Sequence, residues 1–105
     1  MTLTRTQVRD LLDRYEIRPK RSLGQHFVVE PNTVRRIAEL SGVGPGDRVV
    51  EIGPGLGCLT LALAEAGASV VAIEIDDVLA DVLAEVVTEF GCSDRVEVVH
   101  ADATE

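Results

Sequence analysis

The stretch Val49-Val50-Glu51-Ile52-Gly53-Pro54-Gly55-Leu56-Gly57 constrains this chain more than any other. A β-branched run ends at a carboxylate, and glycine then takes every second position. Residues without a Cβ let a turn reverse tightly and let its backbone approach a ligand. The flanks follow from that bend. Arg48 to Ile52 reads as a buried strand, and the Leu- and Ala-rich residues 57–66 as a helix that stops near Gly67. Ser69 to Glu74 is a second strand. Asp76 caps a further helix, in which Val78, Leu79, Val82, Leu83, Val86, Val87 and Phe90 form ridges at helical spacing. Gly91 ends that helix, and Arg95 to His100 is a third strand. Strand, helix, strand, helix, strand is the unit of an α/β fold, with parallel strands that are apolar on both faces because helices cover them. Right-handed crossovers make it one half of a doubly wound sheet.

The N-terminal part is different. Thr4-Arg5-Thr6-Gln7 has the form of a capping box, with Leu3 and Val8 placed as a hydrophobic staple. Val8, Leu11, Leu12 and Tyr15 then keep helical spacing over about residues 5–15. Residues 16–30 hold Pro19, Gly24 and the basic residues Arg18, Lys20, Arg21 and His26 without a steady period, and read as an ordered loop or extended segment. Pro31 opens a helix with Val34, Ile37, Ala38 and Ser41 on one face, and Gly42 ends it. Gly44-Pro45-Gly46-Asp47 is a turn.

Charge divides the same way. The net charge of −8 combines +3 over residues 1–48 with −11 over residues 49–105. An acidic body binds nucleic acid poorly, whereas a basic N-terminal rim on it can do so locally. For Arg18, Lys20, Arg21, Arg35 and Arg36 a nucleic-acid-facing rim and an ordinary solvated face are both open, and charge alone favours the solvated face. No apolar run reaches the length of a membrane span, and the N-terminus lacks a signal-peptide pattern. Cys58 and Cys92 form no metal-type spacing and read as free thiols of a cytoplasmic protein; no metal is expected.

Three ligands compete for the glycine turn. A phosphate-cradling P-loop needs Gly-Lys-Ser/Thr after it, and Leu56-Gly57-Cys58 excludes that. A dinucleotide fingerprint needs glycine where Cys58 stands. The pattern here is Gly-x-Gly-x-Gly after Glu51, which suits S-adenosyl-L-methionine, a ligand with a cationic sulfonium and amino group and no phosphate. Glu74 ends the second strand, 21 residues after Gly53, where a carboxylate can accept both ribose hydroxyls; the alternative is a solvated acid beside Asp76 and Asp77. Asp102 follows the third strand, where it can accept from the adenine amino group or serve as a plain loop residue.

These segments resemble the small-subunit ribosomal RNA adenine N6,N6-dimethyltransferases from Arg18 to Asp102. RPKRSLGQHFVVEPNTVRRI is similar to that family's opening motif, VVEIGPGLGCLTLAL to its glycine motif, VVAIEIDDVLADVL to its ribose segment and VEVVHADA to its adenine segment. The glycine motif alone implies a methyltransferase; Gln25-His26-Phe27 upstream narrows the resemblance to this family. It implies a Rossmann-like class I methyltransferase fold, of which the first βαβαβ half and the N-terminal helices are present. It further implies cofactor contact by His26, Val28, Gly53, Gly55, Glu74 and Asp102, with Glu51, Gln25, Ile75 and Ala103 in support. Val28 stands where the family more often has Leu. Glu51 is open between holding the turn and facing the ligand's amino group through water.

The implied reaction places two methyl groups on the N6 amines of each of two adjacent adenosines in small-subunit ribosomal RNA, with the pre-30S particle as partner. In the family an Asn-Leu-Pro-Tyr motif orients the target amine, and these 105 residues hold no such motif. The expectation is therefore a cofactor-binding part of a longer protein, inactive alone. Residues 1–30 would be a helix and covering segment, and residues 31–105 a partial cofactor domain. Two alternatives are another class I methyltransferase acting on a small molecule or protein, and a non-catalytic module binding ribosomal RNA.

Overall fold

The computed structural model describes residues 3–17 and 30–104. Its elements run α1 (Arg5–Arg14), α2 (Pro31–Ser41), β1 (Arg48–Ile52), α3 (Cys58–Glu65), β2 (Ser69–Glu74), α4 (Asp77–Glu89) and β3 (Val96–His100). Strand and helix boundaries lie within two residues of the sequence reading. The sheet has the order β1-β2-β3 and both pairings are parallel, with Glu51 level with Ala72 and Ala72 level with Val98.

Local chemistry sets the ends. Thr4 Oγ1 accepts from Gln7 N–H at 3.1 Å while Thr4 N–H donates to Gln7 Oε1 at 2.8 Å, so the capping box closes on α1. Leu3 and Val8 are both buried in the core. Glu30 caps α2 through Asn32 N–H, and Gly42 ends it in the left-handed region. Asp76 caps α4 through Leu79 N–H at 3.0 Å.

The core lies between the sheet and the helices. α4 buries Leu79, Val82, Leu83, Val86 and Val87, each contributing about 2 kcal/mol by removal from water. α3 is buried nearly all round, with Leu61 and Ala64 at 0% exposure. α1 joins the same core through Leu3, Val8 and Leu11. Its half-exposed ion pair, Arg14 to Glu85 at 3.1 Å, contributes under about 1 kcal/mol. Apolar burial, and not charge, docks that helix.

Three expectations need correction. The strands are apolar on both faces, yet one face alone is covered among the described residues. Val49, Val70, Ala72 and Val96 turn toward α3 and α4, whereas Val50 and Ile52 on the opposite face are 63% and 70% exposed. Two successive crossovers of one hand put both connecting helices on the same side. In α2, Val34 and Ala38 are buried but Ile37 and Ser41 are exposed, because α3 meets only a narrow stripe. In α4, Val78 sits at the exposed margin of its ridge. Among the described residues no helix is long and apolar enough to cross a membrane, and no cluster of metal-ligating side chains occurs. Cys58 and Cys92 are free and buried.

Candidate functional site

The three strands end together, and the glycine turn lies at that end. Gly53 leaves β1 at φ +69° and donates its N–H to Ile73 O at 2.9 Å. No described atom lies within 4 Å of where a Cβ on Gly53 would stand. Among the described residues, that backbone therefore borders open space. Gly57 serves another purpose. A Cβ there would lie 2.5 Å from Leu83 Cδ1, so its missing side chain seats α3 against α4.

Glu74 reaches the turn from β2. Its Oε1 accepts from Gly55 N–H at 3.1 Å and its Oε2 from Asp76 N–H at 3.1 Å. The residue is only 4% exposed. Two backbone donors fix the plane of the carboxylate and leave each oxygen a second lone pair. A fixed carboxylate with one free acceptor site per oxygen suits a vicinal diol.

Glu51 points to the helix side of β1, where it accepts from the Thr60 hydroxyl. Burial pushes its carboxyl up from the ordinary range; the Thr60 hydrogen bond pulls it back, and the nearby Glu74 charge adds to the rise. Cys58 stands beside it, its thiol pushed up to about 11, mainly by burial. That thiol is a neutral packing group at physiological pH, not a nucleophile.

Asp102 follows β3. Its Oδ1 accepts from Thr104 N–H at 2.9 Å and from the Thr104 hydroxyl at 2.6 Å, which hold its carboxyl below the usual range. His100 Nε2 lies 3.1 Å from Ile75 O and so links the ends of β3 and β2. Ile75 is 65% exposed, an apolar side chain next to Glu74, and Ala103 is exposed in the turn after β3.

The fold thus gathers Glu51, Gly53, Gly55 and Glu74 around one turn, with Ile75, Asp102 and Ala103 following the adjoining strand ends. Gln25, His26 and Val28 lie outside the described residues, as do Arg18, Lys20 and Arg21. Arg35 and Arg36 are exposed on α2, bonded within that helix to Asn32 at 3.2 Å and Glu39 at 3.7 Å. Sequence reasoning missed Thr60 and His100. The signal for Thr60 was a lone hydroxyl in an otherwise Leu- and Ala-rich helix. For His100 it was a position level with Glu74.

Comparison with known proteins decides the family. The model of the family described as ribosomal RNA adenine dimethylase matches residues 17–105. The chain belongs to that family. The chain is 55% identical over 104 residues to a ribosomal RNA small subunit methyltransferase A from Kineococcus radiotolerans, covering 98% of this chain and 35% of that protein. It spans about a third of the length of the curated relatives it matches. Among solved structures, it resembles an RNA methyltransferase from Salinibacter ruber in complex with S-adenosyl-L-homocysteine, with a TM-score of 0.70 and 31% identity over 75% of this chain and 52% of that one. A dimethyladenosine transferase from Plasmodium falciparum matches at a TM-score of 0.66 and 28% identity, covering 74% of this chain and 28% of that one. The fold is accordingly the class I, Rossmann-like methyltransferase type, present here as its first βαβαβ half.

Proposed function

We propose that this chain is the S-adenosyl-L-methionine-binding part of an enzyme that dimethylates the N6 amines of adjacent adenosines in small-subunit ribosomal RNA, in the cytoplasm and on a pre-30S particle. The observation that carries this reading is Glu74. It is buried, fixed in plane by Gly55 and Asp76 N–H groups, and set beside the open side of Gly53. These residues fit the cofactor. A carboxylate pair, Glu51 and Glu74, suits a cationic ligand with a ribose diol and would repel a pyrophosphate.

S-adenosyl-L-methionine supplies an electrophilic methyl group on its sulfonium. Glu74 would hold the ribose hydroxyls, and Asp102 the adenine amino group through the carboxylate oxygen that Thr104 leaves free. Gly53 and Gly55, which carry no Cβ, would bring backbone close to the ligand. Residues 31–105 would thus form the cofactor domain, and residues 1–30 would cover it, with His26 and Val28 as contacts. Arg18, Lys20, Arg21, Arg35 and Arg36 are the candidate RNA rim.

Calorimetry tests the reading. The protein should bind S-adenosyl-L-methionine and S-adenosyl-L-homocysteine and ignore nicotinamide dinucleotide. The reverse preference would sink it.

A further inference from the structure

We propose that Thr60 is a positioning residue of the glycine turn: its hydroxyl clamps the Glu51 carboxylate across the base of that turn and makes ligand capture depend on the carboxylate's proton. The proposal rests on the cofactor reading above and deepens it.

The geometry is unusual for a threonine in a helix. Such a hydroxyl can donate to the carbonyl one turn back, as Thr88 Oγ1 does to Ala84 O at 2.9 Å in α4. Thr60 instead reaches Glu51, nine residues back and on β1, while being itself 0% exposed. That bond joins the first turn of α3 to the strand the chain has just left. It closes the base of the 53–57 turn, as Glu74 holds its middle through Gly55. Two carboxylates therefore splint one turn from two strands.

A splint of two acids is sensitive to protons. Among the described residues, the groups facing Glu51 are Thr60 and Cys58 from α3 and Glu74 from β2. Cys58 remains neutral, and the α4 side chains against Gly57 are the apolar Leu83 and Val86. Thr60 is thus the one described neighbour that favours the charged form of Glu51. Without it, burial and Glu74 act unopposed, and the site meets a cationic ligand with one acid instead of two.

Two measurements test this. The first is the titration of the Glu51 carboxyl by carbon-13 NMR in the ligand-free protein. In T60V, which keeps the shape and removes the hydroxyl, the midpoint should move to higher pH, and in T60S it should return. The second is S-adenosyl-L-methionine affinity between about pH 5 and pH 8. T60V should bind about tenfold more weakly than wild type near pH 6 but within about threefold near pH 8. E51Q should bind with an affinity that no longer varies over this range. A Glu51 midpoint unmoved in T60V, or an affinity loss equal at every pH, overturns the proposal with the cofactor reading intact. Failure of wild type to bind at any pH overturns the cofactor reading and the capture half of the proposal with it.

Discussion

Two turns of nearly the same composition flank β1. Gly42-Val43-Gly44-Pro45-Gly46 enters it, and Gly53-Pro54-Gly55-Leu56-Gly57 leaves it. Each alternates three glycines and holds a proline. The first closes on itself: Asp47 Oδ2 accepts from Gly44 N–H at 2.8 Å, three residues away. The second is held from a distance, by Glu74 on the next strand and, at its base, by the Glu51–Thr60 bond. The first lies at the N-terminal end of the sheet and the second at the C-terminal end, where open α/β sheets bind ligands. Glycine content therefore marks a tight turn and nothing more. A carboxylate imported from another strand separates a turn fit for a ligand from one that only connects.

The largest effect should come from Gly57→Ala. Its φ of +94° and the 2.5 Å approach of Leu83 Cδ1 act together, for a loss of about 3 kcal/mol. Gly46→Ala meets only the backbone penalty, since nothing lies within 4 Å of its Cβ position at φ +90°, and should cost about 1 kcal/mol. Urea melts of both variants check the contrast; equal losses would mean that α3 and α4 do not meet at Gly57.

The second break concerns the two carboxylates. Glu74→Gln should weaken S-adenosyl-L-methionine binding about a hundredfold, the worth of roughly one hydrogen bond to a charged group. Asp47→Ala should leave affinity alone and cost about 1 kcal/mol of stability for the lost cap on Gly44. Calorimetry and a melt on each variant separate the two. Lost affinity in Asp47→Ala would erase the distinction between the turns.

Much of this was legible in the sequence, for reasons that can be named. Thr4 with Gln7 and Asp76 before α4 are local signals whose partners lie three residues away, so capping chemistry fixes them wherever the helix packs. Glu74 could be placed across from the glycines because parallel crossover topology leaves few options. Thr60 was not legible. Its partner lies across a turn whose exact path decides whether a hydroxyl turns back along its helix or out to a strand. Nor was the bare sheet face. Val50 and Ile52 are as apolar as Val70 and Ala72, and pattern says that a face is made for burial without saying what buries it. Ile37 and Val78 teach the same on helices: periodicity sets direction, and the width of the neighbouring element sets exposure.

The smallest effect sharpens the comparison most, because it separates an acid placed for structure from one placed for a ligand. The first turn's Asp47 is exposed, whereas Glu51 is half-buried with its carboxyl raised by burial, opposed by Thr60 and reinforced by Glu74. A carboxyl whose folded pKa lies above its unfolded value contributes stability below the unfolded pKa and loses it as pH rises through the folded one. Wherever Glu51 carries its charge it is therefore a net burden on the fold. Glu51→Gln keeps an acceptor for the Thr60 hydroxyl and removes the charge. Its Tm should exceed wild type at pH 7, by less than the roughly 4 °C that 1 kcal/mol is worth in a domain of this size. The excess should vanish as pH falls through the carboxylate range. A stabilised variant that binds S-adenosyl-L-methionine less well would show that Glu51 is retained against the interest of stability, as an acid serving a cationic ligand would be. A variant destabilised at pH 7 would instead make Glu51 a structural acid like Asp47, and the two turns would differ only in the reach of their carboxylates.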